Sequence, residues 1–378
     1  MNLLIAGAGI GGMALAGLLR QRGIGCELVE RSEDFLQAGY VVTLYPMGAR
    51  VLHGLGVFEA FEKVSSPFRA YEVYNGGGEL LHRFDASSIS EAFGYTGQIR
   101  RGDLISLLRD AAPDVPLRMG VSVERIEQSG RRVEAGLSDG TSGLYDAVIG
   151  ADGIHSNVRR VVFGEEPDRE TGWRLCVWWS AVDIPLDTVR EYWGKGRFVG
   201  VYPTPSGTAA VAAAPCHLLG PAVSGGRGGN VRELFDGMAG GALEAIQGFP
   251  DETAGLFTAR LADFRSARWV HRRVALVGDA ACAFLPVAGV GASMALESAA
   301  VMADELSRAD AAAIPGAFDF YQLRRRQRVE SAQDEARKLL VWMAAESSPL
   351  VWTREQFVRH ASSDTLVRMI ARSLETPI

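Results

Sequence analysis

The feature that most constrains the fold is the glycine-rich stretch Gly7-Ala8-Gly9-Ile10-Gly11-Gly12, which separates two apolar segments. Residues 3–6 form a short apolar run typical of a buried parallel strand, and residues 12–23 repeat apolar side chains at helical spacing. In such a strand-turn-helix unit, the first glycine permits the tight turn and the second lets a pyrophosphate approach the backbone. The third glycine lets the helix pack against the strand. The helix N-terminus then faces the phosphates with unpaired N–H groups and a positive dipole end.

A second predicted strand supports a nucleotide site. Residues 26–29 lead directly to Glu30, whose carboxylate can accept hydrogen bonds from ribose hydroxyls. The adjacent Arg31 is a candidate to lie over the adenine ring, with plain solvation as the alternative. An NAD-dependent dehydrogenase would account for this N-terminal segment equally well.

Two later segments repeat the arrangement of a strand followed by an acid. Residues 133–137 alternate as a strand, Asp139-Gly140 indicates a hairpin turn, and the strand at 146–150 leads into Asp152-Gly153. Far downstream, the strand at 274–277 leads into Gly278-Asp279, a loop with proline and glycine, and a long helix. Ligands of doubly wound folds bind at the carboxyl ends of strands. Two such loops beside one glycine-rich turn indicate a single nucleotide with a long polar tail.

In their order and spacing, these three motifs resemble the FAD fingerprints of the class A flavoprotein monooxygenases, the aromatic hydroxylase family, over residues 1 to about 310. The resemblance implies an α/β fold with an added antiparallel sheet: a Rossmann-like FAD-binding domain interwoven with a β-sheet substrate domain, followed by C-terminal helices. The implied boundaries are 1–70, 98–165 and 270–310 for the FAD domain, 71–97 and 166–269 for the substrate domain, and 311–378 for the helical segment.

The resemblance also implies which residues hold FAD without a covalent bond. They are Gly7, Gly9, Gly11, Gly12, Glu30, Arg31, Arg101, Asp152, Arg159, Gly278, Asp279, Pro286, Gly289, Gly291, Ala292 and Ser293. Arg101 is expected at the phosphate and ribityl region, Asp279 at a ribityl hydroxyl, and Gly289-Val290-Gly291 along the isoalloxazine. Two positions depart from the pattern of many members, which have histidine at Cys282 and asparagine at Ser293.

The paired arginines of the second motif have two interpretations. The pattern formed by Asp152, Ser156 and Arg159 resembles a family motif that holds FAD and meets the pyridine nucleotide. As the alternative, Arg159 is tied to Asp152 as a structural cap. Arg160 is expected to be solvated.

The segment between the second and third motifs is rich in aromatic residues and strand patterns, which predicts a sheet over the flavin with a pocket between the domains. Trp178, Trp179, Trp193 and Tyr202 are candidates to line that pocket, although large aromatic side chains on strands usually belong to the core. The run "RRRQR" at 324–328 is expected to be a solvated helix face.

The implied function is that of an FAD-dependent monooxygenase. NADPH or NADH would bind transiently and reduce FAD, and O₂ would add to the flavin as a C4a-hydroperoxide. Its oxygen would hydroxylate or epoxidise a hydrophobic, aromatic small molecule. The sequence shows no catalytic nucleophile, acid pair or metal motif, and this chemistry requires none. The alternatives are a flavin-dependent reductase of an alkene or prenyl substrate, and a flavin-binding protein that redirects a pathway intermediate without turnover.

Composition narrows the partners and the compartment. The net charge of −6, without a long basic run, argues against nucleic-acid binding. No apolar stretch reaches the roughly 20 residues that span a bilayer. The four cysteines are scattered, as expected for a protein in a reducing, cytoplasmic compartment. The protein is expected to be a monomer or a homodimer. The last 35 residues are expected to cap either the pocket or a dimer surface.

Overall fold

The computed structural model describes residues 1–34, 40–225, 228–252 and 256–362. Its strands are β1 (Asn2–Ala6), β2 (Gly25–Glu30), β3 (Val41–Leu44), β4 (Ser66–Pro67), β5 (Ala70–Asn75), β6 (Leu80–Asp85), β7 (Gly97–Arg100), β8 (Leu117–Met119), β9 (Val123–Ser129), β10 (Arg132–Leu137), β11 (Ser142–Tyr145), β12 (Ala147–Gly150), β13 (Arg169–Ser180), β14 (Thr188–Trp193), β15 (Phe198–Thr204), β16 (Gly207–Pro215), β17 (Phe257–Arg265), β18 (Val270–His271), β19 (Val274–Leu276) and β20 (Cys282–Ala283).

The helices are α1 (Ile10–Gln21), α2 (Pro46–Leu55), α3 (Phe58–Val64), α4 (Ser87–Phe93), α5 (Arg101–Asp110), α6 (Asn157–Phe163), α7 (Cys216–Ser224), α8 (Gly228–Leu234), α9 (Gly241–Gln247), α10 (Gly291–Ser307), α11 (Ile314–Met343) and α12 (Ser348–His360). Two short 3₁₀ turns cover Gly278–Ala280 and Pro286–Ala288. No described helix combines the length and the apolar character needed to cross a membrane.

The first layer is a six-stranded sheet in the order β18-β19-β12-β1-β2-β8. Strand β1 runs parallel to both neighbours, with Leu4 opposite Val148 of β12 and Glu27 of β2. Residues 3–6 are almost completely buried, because helices cover parallel sheets on their faces. Helix α1 packs against α10, so the first and third motifs meet in one core.

The predicted hairpin before the second motif is present. Strands β9, β10 and β11 form a three-stranded antiparallel sheet, with Val133 opposite Tyr145 across the turn at Asp139-Gly140. Strand β12 then returns the chain to the parallel sheet. The loop after β12 therefore begins at the carboxyl edge, beside the loop after β1.

The second large layer is an eight-stranded sheet in the order β20-β17-β13-β16-β15-β14-β5-β6. It is antiparallel except for the parallel pair formed by β14 and β5. A second three-stranded sheet has the order β3-β7-β4. This combination of a parallel sheet, an antiparallel sheet and C-terminal helices confirms the predicted fold class. The domain boundaries stay a prediction.

The arginine-rich run on α11 corrects one expectation. Arg325 is completely buried, and it forms an ion pair with Glu297 of α10, which is also completely buried. Arg328 donates two further hydrogen bonds to the same carboxylate. Helical periodicity places Arg325 on the buried face that Tyr321 and Val329 share, so this part of the run is an internal cross-link instead of a solvated surface.

Candidate functional site

A cavity of about 990 Å³ lies between the carboxyl edge of the parallel sheet and the face of the antiparallel sheet. Its polar half is formed by residues at or just after the ends of β1, β2, β12 and β19, including Gly9, Glu30, Asp152 and Asp279. Its apolar half is formed by one face of the antiparallel sheet and by side chains of α11 and α12. The three sequence motifs therefore converge on one space.

The glycine-rich turn contains two glycines that the protein needs for its own packing. Gly7 has a φ of +101°, and a Cβ there would lie 2.4 Å from the carbonyl oxygen of Ala151. A Cβ at Gly12, which is not part of the cavity wall, would lie 1.9 Å from the carbonyl oxygen of Gly7. Only glycine fits at either position, because both clashes are with backbone.

Gly9 differs, because a Cβ there would meet no protein atom within 4 Å. It lies in the cavity wall at the N-cap of α1, and its φ of −72° suits any residue. Packing of the protein therefore does not explain a glycine at this position, whereas close approach of a phosphate group to the backbone does. The cradle fits a dinucleotide such as FAD.

Glu30 is held in place by two backbone groups. Its Oε2 accepts a hydrogen bond from the N–H of Ala8 at 2.8 Å, and its Oε1 accepts one from the N–H of Ser32 at 2.9 Å. Both oxygens keep capacity for a second donor, as ribose recognition requires. Arg31 lies beside it, exposed and in the cavity wall.

Asp152 caps α6 from inside the cavity wall. Its carboxylate accepts hydrogen bonds from Ser156 Oγ at 2.5 Å, from the N–H of Asn157 at 2.7 Å and from the N–H of Val158 at 3.1 Å. Burial raises the pKa of Asp152, and these hydrogen bonds oppose that shift. The cap positions the loop that carries the second motif.

Arg159 does not belong to the cavity wall. Its guanidinium donates to the carbonyl oxygen of Ile154 at 2.6 Å and to that of Ala280 at 3.0 Å, and it lies 3.6 Å from the ring centroid of Phe264. It therefore connects the second motif to the third. This geometry favours a structural role over contact with FAD or a pyridine nucleotide, but the guanidinium's partners are these two carbonyl oxygens and not the expected Asp152. Arg160 is exposed.

Asp279 lies in the cavity wall, with its side chain exposed to the cavity. The surrounding protein raises its pKa to about 6, and the positive charge of Arg101 opposes the shift. Arg101 begins α5, lies in the cavity wall and has its guanidinium 5.5 Å from the ring centroid of Tyr40. An anionic acceptor and a cation thus occupy the polar half together.

The third motif places the N-terminus of the long helix α10 in the cavity wall. Pro286 begins a 3₁₀ turn that ends at Ala288 and is capped by Gly289, whose φ is +63°, and α10 starts two residues after Gly289. Residues 289–292 and Gly278 are in the wall, so the unpaired N–H groups of the first turn of α10 favour negative charge there.

The two departures from the family pattern have structural explanations. Ser293 is completely buried outside the wall, where its Oγ accepts a hydrogen bond from the N–H of Tyr45 at 2.9 Å and holds the start of α2. Cys282 is also buried, and burial raises the pKa of its thiol, which remains neutral.

Of the aromatic candidates, Trp193 and Tyr202 line the cavity, and Trp178 does not. Successive residues of a strand point to opposite faces. On β13, Trp173, Leu175 and Val177 line the cavity, whereas Trp178 packs in a separate core, 5.0 Å between ring centroids from Phe249. Trp179 is also outside the wall and partly exposed.

Sequence reasoning missed Glu191, an acid in the apolar half. Glu191 Oε1 accepts a hydrogen bond from the Tyr202 hydroxyl at 2.8 Å, and Oε2 accepts one from Trp193 Nε1 at 2.9 Å and another from the Tyr71 hydroxyl. Burial raises the pKa of Glu191, and the three hydrogen bonds oppose the shift. Strand alternation was the available signal: Glu191 and Trp193 are two residues apart on β14, so a cavity-facing Trp193 places Glu191 on the same face.

The last 35 residues contribute Ala344 and Val358 to the wall, beside Leu340 and Met343 at the end of α11. The structure thus supports the pocket-capping alternative for the part of the last 35 residues that it describes, and residues 363–378 lie outside the described residues. Within the described ranges, no three His, Cys, Asp or Glu side chains are close enough to hold a metal ion.

Comparisons with known proteins agree with this geometry. The family described as FAD binding domain matches residues 1–336. The chain is 30% identical to 3-amino-4-hydroxybenzoate 2-monooxygenase of Streptomyces cremeus, over 97% of this chain and 93% of the relative. It is 31% identical to 2-heptyl-3-hydroxy-4(1H)-quinolone synthase of Pseudomonas aeruginosa, over 95% and 94%. The structure of Klebsiella pneumoniae HpxO complexed with FAD and uric acid matches with a TM-score of 0.89 at 25% identity, over 100% of this chain and 97% of that one.

Proposed function

Because this chain belongs to the class A FAD-dependent monooxygenases, we propose that it uses NAD(P)H and O₂ to hydroxylate or epoxidise a hydrophobic aromatic molecule. The observation that carries the proposal is that one cavity joins a dinucleotide cradle, which is its polar half, to an apolar chamber, which is its apolar half. A substrate ring in the chamber would lie next to the flavin end of the cofactor.

The residues that we assign to FAD are those that the structure brings to the polar half. They are Gly7, Gly9, Gly11, Glu30, Arg31, Arg101, Asp152, Gly278, Asp279, Pro286, Gly289, Val290, Gly291 and Ala292. Gly12, Arg159 and Ser293 support the site through packing, cross-linking and positioning of α2.

When bound, FAD supplies the redox chemistry: reduction by NAD(P)H, activation of O₂ and transfer of one oxygen atom. The protein binds and orients the reactants. Glu30 and Asp279 would accept hydrogen bonds from the cofactor, Arg101 would face its anionic groups, and the N-terminus of α10 would stabilise negative charge on it.

The apolar chamber orients the substrate and excludes water. Trp173, Leu175, Val177, Phe198 and Phe257 form a wall suited to an aromatic ring. Relatives with the names of a hydroxybenzoate monooxygenase, a quinolone synthase and a urate hydroxylase support a small aromatic substrate for this chain.

Turnover under ¹⁸O₂ tests the proposal. We expect the purified chain to bind about one FAD without a covalent bond, to oxidise NADPH or NADH, and to place one ¹⁸O atom in an aromatic product. FAD-depleted protein is the control. An alkene reductase would oxidise NAD(P)H and saturate its substrate without ¹⁸O, and a flavin-binding protein without turnover would do neither. Either result, or failure to take up FAD, would contradict the proposal.

We also propose a cytoplasmic location and a monomeric or homodimeric state. The four cysteines are all free, which suits a reducing compartment. Cell fractionation and light scattering of the purified protein test these two points.

A further inference from the structure

Four polar side chains form a connected group in the otherwise apolar chamber. We call this group, Tyr71, Glu191, Trp193 and Tyr202, the Glu191 cluster. Glu191 is 5% exposed, and it receives the hydrogen bonds of the other three side chains. The cluster lies on adjacent strands, β5, β14 and β15, so its geometry is set by the sheet.

Glu191 lacks the cationic partner that other buried acids of this protein have. Glu297 is paired with Arg325, and Asp263 is paired with Arg337. Glu72, on the opposite face of the same sheet, is paired with two arginines. In the part of the chain that the structure describes, no such ion pair forms at Glu191. An unpaired buried charge is costly, so its presence in a ligand cavity points to recognition.

The hydrogen bonds determine what the cluster can offer a ligand. Oε2 of Glu191 already accepts two donors and Oε1 accepts one, so a carboxylate with about four acceptor positions keeps one open on Oε1. Tyr71 and Tyr202 each direct their O–H to Glu191, and their oxygens can then only accept. Trp193 directs its N–H there as well. The cluster therefore offers acceptors and negative charge, and no donor.

We propose that Glu191 is a specificity-determining residue, which selects neutral aromatic substrates with an O–H or N–H donor and rejects aromatic carboxylates. The inference rests on the proposed function, since it takes the apolar chamber as the substrate site. A donor on the substrate completes the acceptor position on Oε1. A substrate carboxylate meets a like charge, and Tyr71, Trp193 and Tyr202 direct their donors to Glu191 instead of to the substrate.

The cations elsewhere in the cavity wall do not offset the negative charge of the Glu191 cluster. Arg260 and Lys338 are largely exposed, and they pair with Glu170 and Glu335. Arg31 and Arg101 lie in the polar half. The names of the relatives include both a benzoate enzyme and a quinolone enzyme. The Glu191 cluster favours a neutral aromatic substrate over an aromatic carboxylate for this chain.

Three naphthalenes of matched size test the proposal without turnover. FAD-loaded protein is titrated calorimetrically, in the absence of NAD(P)H, with 1-naphthol, 1-methoxynaphthalene and 1-naphthoate. We expect 1-naphthol to bind about tenfold more tightly than 1-methoxynaphthalene, because a hydrogen bond to a charged acceptor is lost in the ether. We expect 1-naphthoate to bind more weakly than both.

Glu191→Gln keeps the shape and removes the charge. This variant should reduce the preference for 1-naphthol over the ether to about threefold or less, and it should bind 1-naphthoate about tenfold more tightly than the wild type does. Glu72→Gln is the matched control, since it makes the same change at a buried acid on the other face of the sheet. It should lower thermal stability and leave the order of the three ligands unchanged.

The proposal is overturned when wild-type protein binds 1-naphthoate as tightly as 1-naphthol, when it does not bind 1-naphthol, or when Glu191→Gln preserves the wild-type order. The wild-type order is informative even where the variant does not fold. Absence of ¹⁸O incorporation would contradict the proposed function alone, because these titrations require no turnover.

Discussion

Replacing Gly9 with alanine separates the requirements of the fold from those of FAD binding. The added Cβ would meet no protein atom within 4 Å, and the backbone φ of −72° is available to alanine without strain. The methyl group would extend instead into the space where we expect the FAD pyrophosphate. Gly9→Ala should therefore fold normally and bind FAD poorly.

The magnitudes follow from that geometry. A glycine-to-alanine change at a compatible position stabilises a protein by about 0.4–1 kcal/mol through the unfolded chain, and the preference for glycine over alanine at an N-cap offsets part of this gain. We expect the free energy of unfolding of the apoprotein to change by less than about 1 kcal/mol. Forcing a methyl group into a filled contact costs about 1–3 kcal/mol, which weakens FAD binding about 5-fold to 150-fold.

The assay is a pair of titrations, with urea for the apoprotein and with FAD followed by flavin fluorescence. Gly12→Ala is the first comparator, because its Cβ would lie 1.9 Å from a carbonyl oxygen, and it should destabilise the apoprotein itself. Gly54→Ala is the second, because it adds a methyl group to exposed space on α2. It should stabilise the fold by about 1 kcal/mol and leave FAD affinity unchanged.

Two results would refute this reasoning. Wild-type FAD affinity in Gly9→Ala would mean that no ligand group approaches the backbone at this turn. A loss of apoprotein stability comparable to that of Gly12→Ala would mean that the fold itself requires glycine there.

Three further variants test other parts of the site. Asp279→Asn should weaken FAD binding about tenfold to hundredfold at about pH 8. It should also abolish the loss of wild-type affinity that we expect below about pH 6, because protonation of Asp279 likewise removes the anionic acceptor. Arg159→Lys should lower the melting temperature and leave the rate of flavin reduction per bound FAD unchanged in anaerobic stopped flow, whereas Arg160→Lys should change neither; slow reduction in a stable Arg159 variant would contradict the structural role. Glu297→Gln should lower the free energy of unfolding in urea by about 3–5 kcal/mol, because two arginines lose their partner, and a loss as small as that of the exposed control Glu335→Gln would contradict this.

The local sequence was sufficient to predict the cofactor-binding half of the fold. The strand before Gly7, the hairpin turn at Asp139-Gly140 and the long helix after Gly291 are all present. Each depends on neighbouring residues alone: apolar periodicity, a turn dipeptide, or a glycine at a tight connection. Because parallel strands end at one edge, the order of the motifs also predicted that their loops would meet.

The chamber was less predictable, because strand periodicity indicates that neighbouring side chains face opposite ways without saying which face is covered. Trp178 and Trp173 are both large and aromatic, and only the packing of the sheet decides that Trp173 faces the cavity. The same limit concealed Glu191, whose three donors come from β5, β14 and β15.

By itself, the sequence determined the strand-turn-helix cradle and the order in which the cofactor loops converge, because these depend on short-range backbone preferences. The fold class followed from the resemblance of the three motifs to a known family. Only the tertiary structure decided how individual charges are used. Arg159 connects two loops and Arg325 is buried against Glu297, although both belong to arginine-rich stretches that look alike in the chain. The role of a charged side chain depends on which partner it meets and how much water remains around it, and both are set by residues distant in sequence.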